Sequence, residues 1–365
     1  MKKALCILLA ALMVLSLAAC GRQQAPEAEQ KTFIMGIDPE YPPFSYLGDD
    51  GEYTGFDVEI AKAACEIAGL EYDVFAVNWD NKLIQLSNHE CDVIWSGMTI
   101  LDSMTKEGYV ISAPYYDNTQ VLVVRKDSGI TSSADLAGKL VAVQLGTSGE
   151  TLLNEDLSDL KDTFGELVTS ESFLLAFTEL EGNAVDAVFV DLPVASACVS
   201  TRENLVILDE VLGAEQYGLA FRKGEEALCA TIEAAVQTLV ENGTYAEIAA
   251  KYGIRVYTIG VGTQGYAPYP TTDIWGRKVY EQVKVDIDEA TLQKIAKITD
   301  GQYFRATDNQ ALKNVYKKID ELEKTKMLSM TISHSEDLFH PFLLWALILM
   351  LLNVLIRMTV GAVLP

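Results

Sequence analysis

Residues 136–153, LAGKLVAVQLGTSGETLL, predict a strand, a tight loop and a helix in succession. The run Leu140–Gln144 is largely apolar on both faces of an extended chain, which is typical of a strand buried within a parallel sheet. The loop Gly146–Ser148 follows, and an amphipathic helix is predicted over Ser148–Leu153. This succession indicates an α/β fold, in which ligands bind beyond the carboxyl ends of the strands.

The same alternation extends in both directions, from Thr32 to Gly253. The predicted strands are Thr32–Ile37, Tyr72–Ala76, Asp92–Ser96, Gln120–Arg125, Leu140–Gln144, Ala187–Val190 and Gly218–Arg222. The predicted helices are Phe56–Ala68, Asn81–Ser87, Ser132–Ala137, Ser148–Leu153, Phe173–Glu181, Pro193–Thr201 and Glu225–Lys251. Polar residues follow several of these strands, so we expect a ligand site where the strand ends meet.

Composition excludes several classes of function. Of the 365 residues, 49% are hydrophobic and 22% are charged, which is typical of a folded chain. Lys and Arg number 28 and Asp and Glu 52, and the net charge of −24 argues against nucleic-acid binding. The histidines at 89, 334 and 340 form no ligand cluster, so we expect no metal site and no cofactor.

The N-terminus predicts export. A short basic start precedes an apolar run, and Leu17-Ala18-Ala19-Cys20 resembles the bacterial lipobox, in which the cysteine is lipidated. We therefore expect a signal peptide over 1–20 and a flexible tether over 21–31. The alternative is an uncleaved N-terminal anchor. Either reading places the protein at the cell membrane, facing outside. Cys65, Cys91, Cys198 and Cys229 lie in apolar contexts typical of buried free thiols.

A family resemblance rests on an ordered set of segments. They are GIDPEYPPFSYLGDDGEYTGFDVEIAKA (36–63), WDNKLIQLSNHECDVIWSGMTI (79–100), APYYDNTQVLVVRKDSGI (113–130), LAGKLVAVQLGTSGETLL (136–153) and AVDAVFVDLPVA (184–195). Together they resemble family 3 extracytoplasmic solute-binding proteins, the amino-acid-binding subunits of ABC importers. The resemblance implies a solute-binding domain over 32–253, with two α/β lobes that close on the ligand like a hinge. Lobe 1 would comprise about 32–117 and 219–253, and lobe 2 about 118–218.

The resemblance also implies ligand-binding residues in lobe 1, namely Asp38, Tyr41, Trp79, Ser96, Gly97 and Thr99. Tyr41 and Trp79 match the family's aromatic walls, and Asp38 stands where cation-selective members carry a carboxylate. The last three residues match a loop that donates hydrogen bonds to the ligand. By their residue types alone, the two aromatic residues also suit a core, and Asp38 suits a turn cap before Pro39.

In lobe 2, the resemblance implies roles for Thr147, Ser148 and Asp191. The loop that opens the helix would hold the ligand's α-carboxylate, and Asp191 would take the α-ammonium. Ordinary helix capping is the alternative for each of them, with Asp191 standing before Pro193.

One position departs from the family pattern. Most members carry an arginine that clamps the α-carboxylate, and Met104 stands there instead. Methionine makes no bidentate charged contact. Three explanations remain open: the carboxylate is held by Ser148 and Thr99, Lys106 substitutes for the arginine, or the ligand lacks a carboxylate.

The character of the chain changes after residue 253. IRVYTIGVGTQGYAPYP (254–270) and VDIDEATLQKIAKITDGQYFRATDNQALKNVYKKIDELEKTK (285–326) resemble the C-terminal part of a von Willebrand factor A domain of the Bat membrane-protein type. The Asp-x-Ser-x-Ser metal motif of that fold is missing from the chain, so we expect no metal-dependent adhesion. The predicted elements are a strand over Ile254–Gly262, a Pro-rich loop over Tyr266–Thr272, a helix capped by Asp288, a strand over Gln302–Ala306 and a helix over Asn309–Lys324.

This partial domain, 254–325, lacks the strands that should flank its own, so we expect poor stability. A linker over 326–341 and a transmembrane helix over 342–364 are predicted to follow. A buried or interfacial helix is the alternative for the last segment.

The sequence thus predicts a membrane-anchored, non-enzymatic binding protein that delivers a small polar ligand, such as an amino acid, to an ABC permease. Two alternatives remain: a structural or sensory membrane protein of the von Willebrand A type, and a chimeric sequence without integrated function. An enzyme on this fold would need an acid–base pair in the cleft. Asp38 and Asp191 are the only cleft carboxylates predicted, and both have binding roles.

Overall fold

The structure, a computed structural model, describes residues 32–262, 265–272, 277–285 and 287–327. Within this part of the chain, two β-sheets with helices packed against them form two lobes, and the chain passes between the lobes twice. The predicted two-lobe α/β class agrees with this architecture.

The first of the two chain segments that form lobe 1 comprises residues 32–111. Its strands are β1 (Thr32–Ile37), β2 (Glu40–Tyr41), β3 (Ser45–Leu47), β4 (Tyr53–Thr54), β5 (Glu71–Ala76), β6 (Val93–Ile94) and β7 (Val110–Ile111). Its helices are α1 (Phe56–Ala68), α2 (Lys82–Ser87), preceded by a 3-10 turn over Trp79–Asn81, and α3 (Asp102–Glu107). β1 pairs in parallel with β5 and β6. β2, β3 and β4 form a small antiparallel sheet beside them.

Lobe 2 comprises the second sheet and its helices. Its strands are β8 (Tyr116–Arg125), β9 (Leu140–Gln144), β10 (Glu166–Ser170), β11 (Ala187–Asp191), β12 (Leu205–Ile207) and β13 (Gly213–Tyr217). Its helices are α4 (Ser148–Asn154), α5 (Ser158–Lys161), α6 (Phe173–Glu181) and α7 (Leu192–Ser200), and a 3-10 turn covers Ser133–Leu136. The sheet order is β10-β9-β11-β8-β12, with β13 paired to β8. β9 is parallel to both of its neighbours, whereas β8 is antiparallel to its partners.

The connection between the lobes is the antiparallel pair β8 and β13. Tyr116 pairs with Tyr217 at one end of this ribbon and Gln120 pairs with Gly213 at the other. After β13 the chain returns to lobe 1 as β14 (Ala220–Phe221), which pairs antiparallel with β6 and β7. The two strands of this ribbon therefore connect the lobes.

Two helices then complete lobe 1, α8 (Glu226–Asn242) and α9 (Thr244–Lys251). The sequence predicted one helix over Glu225–Lys251. Gly243 interrupts it, because its φ of 90° lies in the left-handed region that ends helices. α8 packs against α1.

One apolar core extends through both lobes and the ribbon between them. It includes Phe56 of lobe 1, Phe173 of lobe 2 and Tyr217 of the ribbon, all at most 1% exposed. Burying each aromatic side chain stabilises the fold by about 1.5–3 kcal/mol. The four predicted free thiols are buried free cysteines.

The C-terminal segment adds β15 (Thr258–Val261), β16 (Gly265–Thr272), β17 (Lys278–Val285), α10 (Glu289–Ile298), β18 (Tyr303–Ala306) and α11 (Asn309–Met327). β15 pairs in parallel with β18, and β16 pairs antiparallel with β17. The predicted loop over Tyr266–Thr272 is therefore wrong. Proline is tolerated on the unpaired edge of a two-stranded ribbon, so Pro268 and Pro270 do not prevent this pairing.

The predicted helix cap and the predicted first strand of this segment can also be compared with the structure. Asp288 caps α10 as predicted, since its carboxylate accepts a hydrogen bond from the Thr291 amide at 3.0 Å. The predicted strand over Ile254–Gly262 is shorter in the structure, and Ile254 instead belongs to the apolar core of the lobes. α10 also contacts α9, so the segment packs against lobe 1.

Several predicted segments lie outside the described residues. They are the signal peptide over 1–20 with Cys20, the tether over 21–31 and the transmembrane helix over 342–364. The linker predicted over 326–341 also lies there, apart from its first residues, which continue α11. Of the helices in the described ranges, none has the length and apolarity needed to cross a membrane.

Candidate functional site

A cleft of about 350 Å³, including space open to solvent, lies between the lobes. Its lining residues are Tyr41, Trp79, Lys82, Gly97, Met98, Thr99, Leu101, Met104, Gly146, Thr147, Ser148 and Asp191. The predicted site residues among them are Tyr41, Trp79, Gly97, Thr99, Thr147, Ser148 and Asp191. The structure therefore brings together most of the residues singled out in the sequence.

Asp38 and Ser96 were predicted to contact the ligand, but the structure does not place them on the cleft lining. Ser96 is fully buried, and its hydroxyl accepts a hydrogen bond from the Asp38 amide at 3.1 Å. The Asp38 carboxylate accepts hydrogen bonds from the Glu40 amide at 2.9 Å and from the Gln144 side chain at 2.7 Å. Burial raises the pKa of Asp38. Both residues lie behind the cleft, where Asp38 connects lobe 1 to Gln144 of lobe 2.

Asp191 ends β11 and carries the densest polar network of the cleft. It is 4% exposed, and its Oδ1 accepts hydrogen bonds from Gln120 and Tyr217, each at 2.8 Å, and from Asn118 at 2.5 Å. The two amide side chains also donate to Glu215 Oε1, at 2.6 and 2.9 Å. Burial, followed by the neighbouring Glu215 carboxyl, raises the pKa of Asp191 well above its usual range. An ammonium group placed here would stabilise the ionised carboxylate.

The alternative roles of the lobe 2 residues differ from one another. Asp191 precedes α7, but its side chain makes no capping hydrogen bond. Thr147 does cap α4, because its hydroxyl accepts from the Glu150 amide at 3.3 Å and donates to the Gln144 carbonyl at 2.7 Å. Ser148 accepts a hydrogen bond from Thr99. Capping therefore explains Thr147 and leaves Asp191 available to the cleft.

Tyr41 forms an aromatic wall that reaches across both lobes. Its hydroxyl lies 2.7 Å from the Tyr217 hydroxyl, and its ring centroid lies 5.9 Å from that of Phe173 in lobe 2. Gly97 has a φ of 54°, and a Cβ there would lie 2.2 Å from Tyr41 Cε1. Only glycine therefore permits this close approach. Trp79, at the half-buried 3-10 turn, forms a second aromatic surface of the cleft.

The lobes are closed on each other. Lys82 Nζ of lobe 1 donates to the Gly146 carbonyl of lobe 2 at 2.7 Å, and Thr99 Oγ1 donates to Ser148 Oγ at 3.0 Å. Gly146 meets lobe 1 so closely that a Cβ there would lie 2.6 Å from the Asp80 Cα. The cleft thus depends on side chains and backbone from both lobes.

Lys82 is a cleft residue that sequence reasoning missed. It is 8% exposed, and burial lowers the pKa of its ammonium to about 8. The spacing in the sequence could have indicated this position, because Lys82 lies four residues before the fully buried Leu86 and so shares its face of α2. Lys106, which was predicted as a possible substitute for the missing arginine, is exposed and does not line the cleft.

Asp57 is a second residue whose role was missed. The structure places it in the first turn of α1 with no exposed surface. Its Oδ2 accepts hydrogen bonds from the Gly97 amide at 2.8 Å and from the Tyr115 hydroxyl at 2.7 Å. Burial raises the pKa of Asp57 to about 7. Asp57 thereby ties α1 to the cleft loop and to the start of the ribbon.

No group of His, Cys, Asp and Glu side chains within the described ranges is arranged to hold a metal ion. The charged groups on the cleft lining are Asp191 and Lys82, one of each sign. This lining suits a small polar molecule that carries both charges.

Comparison with known proteins agrees with this geometry. Residues 33–255 match the family of bacterial extracellular solute-binding proteins, family 3, and the chain belongs to that family. The L-cystine-binding protein TcyJ of Escherichia coli K12 is 32% identical over 227 residues, covering 61% of this chain and 83% of TcyJ. The arginine-binding extracellular protein ArtP of Bacillus subtilis 168 is 32% identical over 257 residues, covering 69% and 98%.

Solved structures show the same fold. A substrate-binding protein of an ABC uptake transporter from Streptococcus pneumoniae, with bound histidine, matches with a TM-score of 0.58 and 28% identity, covering 60% of this chain and 92% of that one. The holo form of the arginine-binding protein ArgBP from T. maritima matches with a TM-score of 0.53 and 37% identity, covering 57% and 90%. These relatives are substrate-binding proteins rather than enzymes, which confirms the expectation of a non-enzymatic function.

Asp57→Asn should change the pH dependence of stability. An acid whose pKa is higher in the folded state stabilises the fold at low pH, and this contribution is lost as pH rises through the folded pKa. Relative to the variant, the wild type should therefore lose up to about 4 kcal/mol of unfolding free energy between about pH 4 and pH 7. Urea denaturation at intervals across this range measures the difference.

Asp135→Asn is the matched control. Hydrogen bonds from Thr131 lower the pKa of this exposed aspartate, so its contribution is lost as pH falls and the difference has the opposite sign. A difference between the wild type and Asp57→Asn that stays constant from pH 4 to 7 would contradict the role given to Asp57.

Proposed function

We propose that the chain is the substrate-binding component of an ABC importer and binds an α-amino acid in the cleft between its lobes. The observation that carries the proposal is the buried Asp191 carboxyl, which lines a closed cleft together with aromatic and hydroxyl side chains. The named ligands of the relatives, cystine, arginine and histidine, are all α-amino acids.

In this proposal five of the lining residues have defined roles. Asp191 accepts the ligand's α-ammonium, which balances the charge of a buried carboxylate. Tyr41 and Trp79 contact the ligand's side chain through their ring faces. Thr99 and Ser148, one from each lobe, supply hydroxyl groups to the ligand's polar atoms and hold the lobes together.

The ABC permease and the membrane belong to the same proposal. Lipidation of Cys20 and a transmembrane helix over 342–364 would hold the protein at the outer face of the membrane, beside its permease. Support comes from the sequence pattern of both ends and from relatives that are described as ABC transporter proteins. The von Willebrand A relationship of 254–325 stays a prediction from the sequence.

A thermal-shift panel tests the proposed function. The full-length chain in mild detergent is mixed with each of the twenty standard L-amino acids, L-cystine and, as a control, the polyamines. An amino acid at 100 times its Kd should add about 2.7 kcal/mol of stability and raise the melting temperature. A protein that melts cooperatively but responds to no amino acid would contradict the proposal.

Asp191→Asn should weaken binding of the best amino acid by about 100-fold, or about 2.7 kcal/mol, because the ammonium loses its charged partner. Isothermal titration calorimetry measures the change. Asp117→Asn is the control, because this exposed aspartate lies on β8, the strand that pairs with the strand of Asp191, and bonds only to Gln216 among the hydrogen bonds described. Equal affinities for the wild type and Asp191→Asn would exclude Asp191 from the site.

Gly146→Ala should lower affinity at least tenfold by obstructing closure, since the new Cβ would collide with the Asp80 backbone of lobe 1. Gly138→Ala is the matched control. Gly138 has a φ of 71° and Gly146 a φ of 73°, so an alanine introduces similar backbone strain at both positions. A Cβ at Gly138, however, meets nothing within 4 Å. Calorimetry with the same amino acid measures both. If the two variants bind equally well, closure at Gly146 is not required for binding.

A further inference from the structure

Lys82 presents the one basic side chain among the residues that line the cleft. It projects from the start of α2, beside the 3-10 turn that carries Trp79. With 8% of its surface exposed, it is one of the few charged residues buried within the described ranges. Burying an ammonium is costly unless a counter-charge or several hydrogen bonds offset the loss of water.

The hydrogen bonds of Lys82 go to main-chain carbonyls rather than to a carboxylate. Its Nζ donates to the Trp79 carbonyl at 3.1 Å and to the Gly146 carbonyl at 2.7 Å, and it lies 4.6 Å from the centroid of the Trp79 ring. An ammonium has three N–H donors, so a third remains for an acceptor in the cleft. The carboxylates that influence its titration are Asp80 of the preceding 3-10 turn, Asp38 directly after β1, and Glu150 of α4.

The position expected to hold a carboxylate offers no charge. Met104, which stands where the family resemblance implies an arginine, lines the cleft with an uncharged side chain and is 4% exposed. Lys106 is exposed and points to no lining position. A carboxylate in this cleft therefore has one positively charged partner available on the lining, the ammonium of Lys82.

We propose that Lys82 binds the carboxylate of the ligand and so makes the cleft specific for zwitterionic α-amino acids. The inference rests on the proposed function and deepens it. The ligand's ammonium contacts Asp191, and the ligand's carboxylate contacts Lys82. The acid and the base on the lining therefore each pair with one charged group of the ligand. The ligand's side chain then lies against the two aromatic rings assigned to it above, and the apolar residues Met98, Leu101 and Met104 complete the uncharged lining.

The same contact couples ligand binding to closure. Lys82 belongs to lobe 1 and already donates to the Gly146 carbonyl of lobe 2. Ser148, two residues after Gly146, also lines the cleft, and its hydroxyl accepts a hydrogen bond from Thr99 across it. The ligand would therefore join the lobes through a charged pair in addition to these hydrogen bonds.

The test compares two probes in three variants by isothermal titration calorimetry. The probes are the amino acid of the thermal-shift panel that most stabilises the wild type and the α-carboxamide of that amino acid, which has no carboxylate charge. The wild type should prefer the amino acid by about 100-fold. Lys82→Met should bind the two probes with affinities within threefold of each other, whereas Lys82→Arg and Lys106→Met should keep the preference.

The pH dependence supplies a second readout. Burial lowers the pKa of Lys82 to about 8, so its ammonium is lost at moderately alkaline pH, whereas an arginine keeps its charge. The affinity of the wild type relative to Lys82→Arg should fall about tenfold between pH 7 and pH 9. Titration of the ligand's own ammonium affects both proteins equally and cancels in this ratio.

The outcomes separate this inference from the proposed function. If the wild type binds no amino acid of the panel, both are overturned. If it binds one and Lys82→Met keeps the preference for the carboxylate, the proposed function stands and the role of Lys82 is overturned. An equal loss of both probes in Lys82→Met would also overturn it, because a purely structural lysine would not distinguish a carboxylate from an amide.

Discussion

The hydrogen-bond network of Asp191 is the interaction on which the rest of the site depends. It joins the end of β11 to both strands of the ribbon, through Asn118 and Gln120 of β8 and Tyr217 of β13, and Tyr217 in turn contacts Tyr41 of lobe 1. Three hydrogen-bond donors to one oxygen hold the buried Asp191 carboxyl in a single orientation. Because the ribbon is also the connection between the lobes, the group that would meet the ligand is hydrogen-bonded directly to that connection.

The two lobes approach each other through backbone as well as side chains. Gly146 of lobe 2 lies against the backbone of Asp80 of lobe 1, at a distance that leaves no room for a Cβ. Closure therefore places the charges of Asp191 and Lys82 in one small cleft while most of its remaining lining is uncharged. In such a setting of low dielectric, an unmatched charge is costly, and a ligand that brings both counter-charges is strongly favoured.

Long elements with regular hydrophobic periods could be predicted with their bounds from the sequence, whereas several short ones could not. Thr32–Ile37, Phe56–Ala68, Leu140–Gln144 and Phe173–Glu181 have the predicted bounds, because each carries a complete apolar face. Strands of two or three residues, such as Glu40–Tyr41, are too short to show a period, and tertiary contacts determine them. The same limit applies to the site. Residues at strand ends, such as Asp191 and Thr99, were found from topology, whereas Lys82 required knowledge of which face of α2 is buried, and Asp38 required knowledge of its partner Gln144.

A crystal structure of the protein with its amino acid bound would show whether Asp191 and Lys82 hold the ligand. We expect the ligand to lie between the closed lobes, with its ammonium about 3 Å from a carboxylate oxygen of Asp191 and its carboxylate about 3 Å from Nζ of Lys82. A ligand bound elsewhere, or one in the cleft whose charged groups contact neither residue, would contradict this expectation.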